Sequence, residues 1–82
     1  MAKYNITASG ASTPFIGSSP KVLVQVNGAL TGNIIVADGT TTVATITNPT
    51  VGSQYEYWNF GTSVVITPSA LCDITVNVSS GR

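Results

Sequence analysis

Catalysis needs titratable or metal-ligating side chains that can converge, and this chain offers Asp38, Glu56, Asp73, Lys3, Lys21, Arg82 and Cys72, with no histidine. Asp38 precedes Gly39, and Asp-Gly is a pair favoured in two-residue hairpin turns, so that carboxylate is engaged in a turn. Asp73 alternates with apolar neighbours and falls on the solvent face of a strand. Glu56 and Asp73 could approach across strands as an acid and a base, but no spacing in the sequence draws them together. Cys72 has no histidine to take its proton, which removes the usual thiol nucleophile. Its parity with Ile74, Val76 and Val78 marks it as a small buried hydrophobe. Lone carboxylates cannot supply the six or more oxygens of a calcium site, and zinc lacks its nitrogen and sulfur set. The residues therefore predict no catalytic group, no cofactor, no metal and no enzyme.

One constellation could bind something. Tyr55, Tyr57 and Trp58 concentrate aromatic surface in the run Ser53–Phe60, where exposed rings would suit a sugar face or the centre of a protein interface. Core filling by the one bulky strand of a small domain is the competing account. Trp58 and Phe60 are expected inward, leaving Tyr55 and Tyr57, whose hydroxyls tolerate solvent, on the outer parity. Glu56 then shares the inward parity, so a strand end or bulge is expected to release it. The second apolar candidate is Phe15-Ile16, which either plugs the open end of its own core or docks on a neighbouring subunit.

These residues are positioned by short β-runs. The firmest is the hairpin Ile34–Thr47 around Asp38-Gly39, with Ala37 expected opposite Thr40, Val36 opposite Thr41 and Ile34 opposite Val43 in a type I′ turn. Alternation gives an edge strand at Tyr4–Ala8 and a central one at Lys21–Val26, with Val22, Val24 and Val26 inward. Asn27–Gly32 turns the chain into the hairpin, and Asn48–Gly52 ends it, because proline cannot donate into a ladder. Strands follow at Ser53–Phe60, Ser63–Thr67 and Leu71–Ser79, the last with Cys72, Ile74, Val76 and Val78 inward and Asp73, Thr75, Asn77 and Ser79 outward. Ser9–Pro20 reads as a loop or extended arm, rich in small residues and proline. About seven short strands with no helical period argue for an all-β fold, a compact antiparallel β-sandwich or partial barrel, immunoglobulin-like or similar. Residues 1–82 make a single small domain.

Charged residues are 7% of the chain and the net charge is zero, against roughly a quarter of residues in an ordinary soluble domain. Ser, Thr and Asn must form the polar surface, and neutral hydroxyls and amides are far cheaper to desolvate than ions. Dense packing against other protein is the expectation. Three cations scattered over the chain make no basic patch, so nucleic acid is not an expected partner. No run suits a membrane span, and Met1–Asn5 lacks the apolar core of a signal peptide, which points to synthesis in a cytoplasm. Asn5-Ile6-Thr7 and Asn77-Val78-Ser79 fit the glycosylation pattern but require a secretory route.

Three stretches, Gly32–Pro49, Val51–Trp58 and Cys72–Val78, resemble small virion proteins of tailed bacteriophages, most of all capsid decoration or cement proteins. The resemblance implies a compact β domain that stabilises the phage head exterior as a homo-oligomer, a trimer among the forms, and bridges neighbouring copies of the major capsid protein. It carries over no functional residue. The interface candidates stay those read from the residues: Phe15, Ile16, Tyr55 and Tyr57. The alternative is a carbohydrate-binding or adhesive module of a tail, fibre or surface protein, suggested by the aromatic strand.

Overall fold

The computed structural model describes residues 2–28 and 32–79. Among them the secondary structure is all β: β1 (Ala2–Ile6), β2 (Ser12–Ile16), β3 (Ser19–Val26), β4 (Asn33–Asp38), β5 (Thr41–Thr47), β6 (Gln54–Phe60), β7 (Ser63–Pro68) and β8 (Ile74–Val78). They form two four-stranded antiparallel sheets, β1-β8-β3-β6 (sheet I) and β2-β7-β4-β5 (sheet II). The fold is a sandwich, not a partial barrel. Strand pairs β1 with β8, β2 with β7, β3 with β6, and β4 with β5 are those made by rolling up one long hairpin, the strand order of a jelly roll. An immunoglobulin domain has a different order. Only the β4–β5 connection stays within one sheet; every other connection crosses the sandwich.

Alternating apolar residues build the core. Val22, Val24 and Val26 of β3 and Ile74, Val76 and Val78 of β8 meet Ile34 and Val36 of β4, Val64 and Ile66 of β7 and Ile46 of β5. Branched side chains keep few χ1 rotamers, so a Val/Ile core on pleated strands loses little side-chain freedom on packing. Cys72 belongs to the same cluster, and its thiol donates to the Ile6 carbonyl at 3.4 Å.

Several expectations are corrected. Ser12–Ile16, inside the segment expected to be a loop or arm, is a strand at the edge of sheet II. Pro14 sits in a register irregularity between Ser12 and Phe15, where the missing N–H costs no regular ladder bond. This strand raises the count from seven to eight. β1 begins and ends two residues earlier than alternation suggests, and β8 starts only at Ile74, with Leu71 exposed before it. The turn over Asn27–Gly32 lies partly outside the described residues, as does Arg82.

The hairpin is present with another register. Asp38 pairs with Thr41 and Ala37 with Thr42; after a bulge Val36 pairs with Ala44 and Ile34 with Ile46. The turn residues are therefore Gly39-Thr40. Gly39 has φ 61° while neither Asp38 nor Thr40 has positive φ, the pattern of a type II′ turn with glycine first. Val43 is the extra residue that restores inward Ala44 and Ile46.

Strand β6 reverses the expected parity. Tyr55 faces Val24 and Tyr57 faces Val22 across β3, so both tyrosines lie against the core, and Trp58 is 59% exposed. Phe60 is nevertheless buried, because Asn59 takes φ 62° and breaks the alternation just before it. Asparagine is among the few non-glycine residues that adopt this conformation readily. Glu56 needs no bulge, for it lies on the solvent face in mid-strand.

Candidate interaction surfaces

The four interface candidates do not converge. Phe15 packs on the core from β2, whereas its neighbour Ile16 is 81% exposed. Tyr55 and Tyr57 are half-buried on the opposite sheet, where burial, with Tyr55 alongside, raises the Tyr57 phenol pKa. The alternatives for Phe15-Ile16 thus divide between the two residues. Phe15 fills its own core, and Ile16 is free to meet another molecule.

Two outer faces remain, and they differ in charge. Register and alternation place Lys3, Asn5, Lys21, Leu23, Gln25, Gln54, Glu56, Trp58, Thr75 and Asn77 on the outside of sheet I. Lys21 is central: its Nζ is 3.2 Å from Glu56 Oε2 and 5.3 Å from the Trp58 ring centroid. Both interactions are solvent-facing and worth at most about 1 kcal/mol each. At the other end of this face, Asn5 Nδ2 donates to Asp73 Oδ1 at 2.9 Å and to the Ile74 carbonyl at 3.1 Å. Asn27 Nδ2 donates to Thr75 Oγ1 at 2.7 Å. Asp73 and Glu56 are on either side of β3, each with its own partners. Asn77, expected in solvent, is only 8% exposed, because β8 is flanked by β1 and β3; its Oδ1 has no hydrogen-bond partner.

Sheet II presents the opposite chemistry. Its outer rows are Val65, Ala37 and Thr42, then Thr67, Ile35 and Thr45, with Asn33 and Thr47 beyond. Ile35, at the centre, is 36% exposed. None of these residues is charged. The one ion in the described part of sheet II is Asp38 at the end of β4, and its carboxylate is occupied: Oδ2 accepts from Gly61 N at 2.9 Å, and Oδ1 from Thr62 N at 2.8 Å and Ser63 N at 3.3 Å. These backbone donors hold the carboxyl pKa below its ordinary value. Sequence reasoning assigned Asp38 to its own turn; its actual role is to tie the β6–β7 turn to the β4–β5 hairpin.

Surface depressions are lined by 5–12 at one site and by Ser18, Ser19, Pro20, Asn59 and Phe60 at the other, and neither lining contains a titratable side chain. Among the described residues no three His, Cys, Asp or Glu side chains cluster as metal ligands. No helix of the described chain is long and apolar enough to cross a membrane. Comparison with known proteins gives no match to a family model, to a curated protein or to a solved structure.

Proposed function

We propose that this chain is a non-catalytic structural protein of a tailed-phage virion, a decoration or cement domain that seats on neighbouring protein through the outer face of sheet II. The observation that carries the reading is the segregation of charge. Among the described residues the charged side chains lie on sheet I (Lys3, Lys21, Glu56), in the loop just before β8 (Asp73) and at the hydrogen-bonded Asp38, leaving a flat face of Thr, Ile, Val and Ala on sheet II. Covering such a face desolvates hydroxyls and methyl groups but no ions, so shape complementarity is enough to hold it. The resemblance of Gly32–Pro49, Val51–Trp58 and Cys72–Val78 to capsid decoration proteins supports the virion setting. Jelly-roll order is shared by viral capsid and lectin domains, an analogy at the level of fold alone. The partner in this reading is the major capsid protein, reached by a homo-oligomer made in the host cytoplasm. Ile35→Lys should leave the fold intact and weaken particle binding at least tenfold, measured by co-sedimentation with capsids that lack the protein. Binding by wild type should change little with salt. Undiminished occupancy by Ile35→Lys would remove sheet II from the interface.

A second reading, a carbohydrate-binding or adhesive module, is favoured by one observation. Trp58 exposes its ring beside Lys21 and Glu56, an arrangement able to stack on a sugar and bond its hydroxyls. Binding on a glycan array that vanishes in a folded Trp58→Ala variant would favour this reading over the first.

A further inference from the structure

We propose that β5 is a self-pairing edge: two copies of the chain join antiparallel through Val43–Thr47, making one continuous eight-stranded sheet from two copies of sheet II. This inference rests on the strand edges and is independent of the virion reading.

The sandwich has four edge strands, β1 and β6 in sheet I and β2 and β5 in sheet II. Exposed edges present unpaired N–H and C=O groups, and natural proteins guard them with charge, proline, shortness or irregularity. Three of the four are guarded here. β1 is five residues long and carries Lys3. β2 is equally short, with Pro14 and a register break. β6 carries Glu56 and is broken by the left-handed Asn59 one residue before its end. β5 has seven residues, Thr-Thr-Val-Ala-Thr-Ile-Thr, with no charge, proline or glycine. Its only irregularity is the bulge at Val43, towards the turn.

A second copy is the occupant this edge fits. Antiparallel pairing about a two-fold axis at Thr45 sets Ala44 opposite Ile46 and Val43 opposite Thr47, so residues on the core side meet core-side residues and outer residues meet outer ones. Because the strand is neutral, no like charges meet in the self-pair, which is the usual penalty for joining a strand to its own copy. The pairing also doubles the uncharged outer face. A five-residue ribbon buries less than a standard interface, so a dissociation constant on the order of 10 μM is expected, not permanent dimerisation.

Sedimentation equilibrium on the full chain, from about 1 μM to about 1 mM, tests this. A concentration-dependent rise from 8.4 kDa to twice that mass is expected. Val43→Lys combined with Thr47→Lys places two like charges opposite each other at each end of the ribbon and should remain monomeric throughout, with unchanged circular dichroism. As a register test that perturbs the fold less, Thr45→Cys at the axis should form a disulfide-linked dimer under mild oxidation, whereas Thr47→Cys, whose copies lie far apart, should not. A monomer at every concentration, a trimer, a dimer unaffected by the lysines, or equal cross-linking at 45 and 47 would each overturn the proposal. The first of these would leave the edge to a strand of a different protein.

Discussion

Asp38 concentrates much of the molecule's local design in one side chain. Three backbone N–H groups of the turn after β6 converge on its carboxylate, and the residue sits where β4 ends against both β5 and β7. The backbone donors of Gly61 and Thr62 hold its folded-state pKa below the ordinary carboxylate value, so its contribution to stability is fully present above that ordinary value and disappears as pH falls through the lower, folded one. Asp38→Asn should therefore melt at a lower temperature than wild type at pH 7, and the two melting curves should converge in acid once the pH is below the depressed folded-state pKa; a gap that persists at that acid limit would mean the loss is not electrostatic. Asn77 offers the opposite case, a buried acceptor without a partner. Replacing such a group with an apolar one removes a desolvation cost, so Asn77→Val should be neutral or stabilising by up to about 1 kcal/mol in urea unfolding. A clear loss would reveal a hydrogen bond to Oδ1. Cys72 behaves as its parity suggests: burial, then the nearby Asp73 charge, raises its thiol pKa, and thiol reagents should react only after unfolding. Its burial was legible because alternation is a local signal. The Asp38 contacts were not, because Gly61–Ser63 lie more than twenty residues away along the chain and reach it only through the strand order.

Strands were the most legible level, and the errors among them have identifiable physical sources. Alternation identified β3, β4, β5, β7 and the apolar side of β8, where one face is buried and the other is not. It misread β6 because that strand carries large residues on both parities; pairing with Val22 and Val24, not aromatic size, decides that the tyrosines turn inward. It missed β2, since Pro14 and neighbouring small residues read as loop until an edge position makes proline tolerable. The expected hairpin register differs from the observed one because Asp38, which the sequence suggests as a turn residue, closes a strand, and in the turn Gly39 alone takes the positive φ. Gly39 is consequently a sharp probe of this element. A Cβ there would lie 3.1 Å from Thr62 Cγ2, on backbone that L-residues rarely adopt. Gly39→Val should lower the melting temperature by several degrees and loosen the Asp38 turn contact with it. Unchanged melting would show that the hairpin tip contributes nothing to the cooperative unit. Within β8, Val76→Asp places an unpaired charge in a fully buried site and should cost more than about 4 kcal/mol, leaving little or no folded protein.

At the scale of the whole molecule the consequence of the jelly-roll order is non-locality. β1 pairs with β8, with Ala2 opposite Val78, and all but one connection crosses between sheets. Such contacts reward the chain only after long loops have closed, so refolding should take milliseconds to seconds, far slower than a helical domain of this length. Microsecond refolding in stopped-flow or temperature-jump experiments would mean the order of assembly is dominated by local contacts after all. The same order explains why the two faces could not be foreseen. The inner and outer residues of β3, β4, β7 and most of β8 are readable one strand at a time, but which strands lie side by side determines that Lys3, Lys21 and Glu56 share sheet I while the neutral outer residues of β4, β5 and β7 share sheet II. That separation supports the proposal that the chain is a structural virion protein held by its uncharged face. The most direct test is an electron cryo-microscopy map of purified virions from a phage encoding this sequence. Ordered density for the eight-stranded domain is expected on the capsid exterior, with Ile35 and Thr67 against the capsid shell and Trp58 turned to solvent. Virions that lack the chain, or density that meets the shell through Trp58 and sheet I, would contradict it.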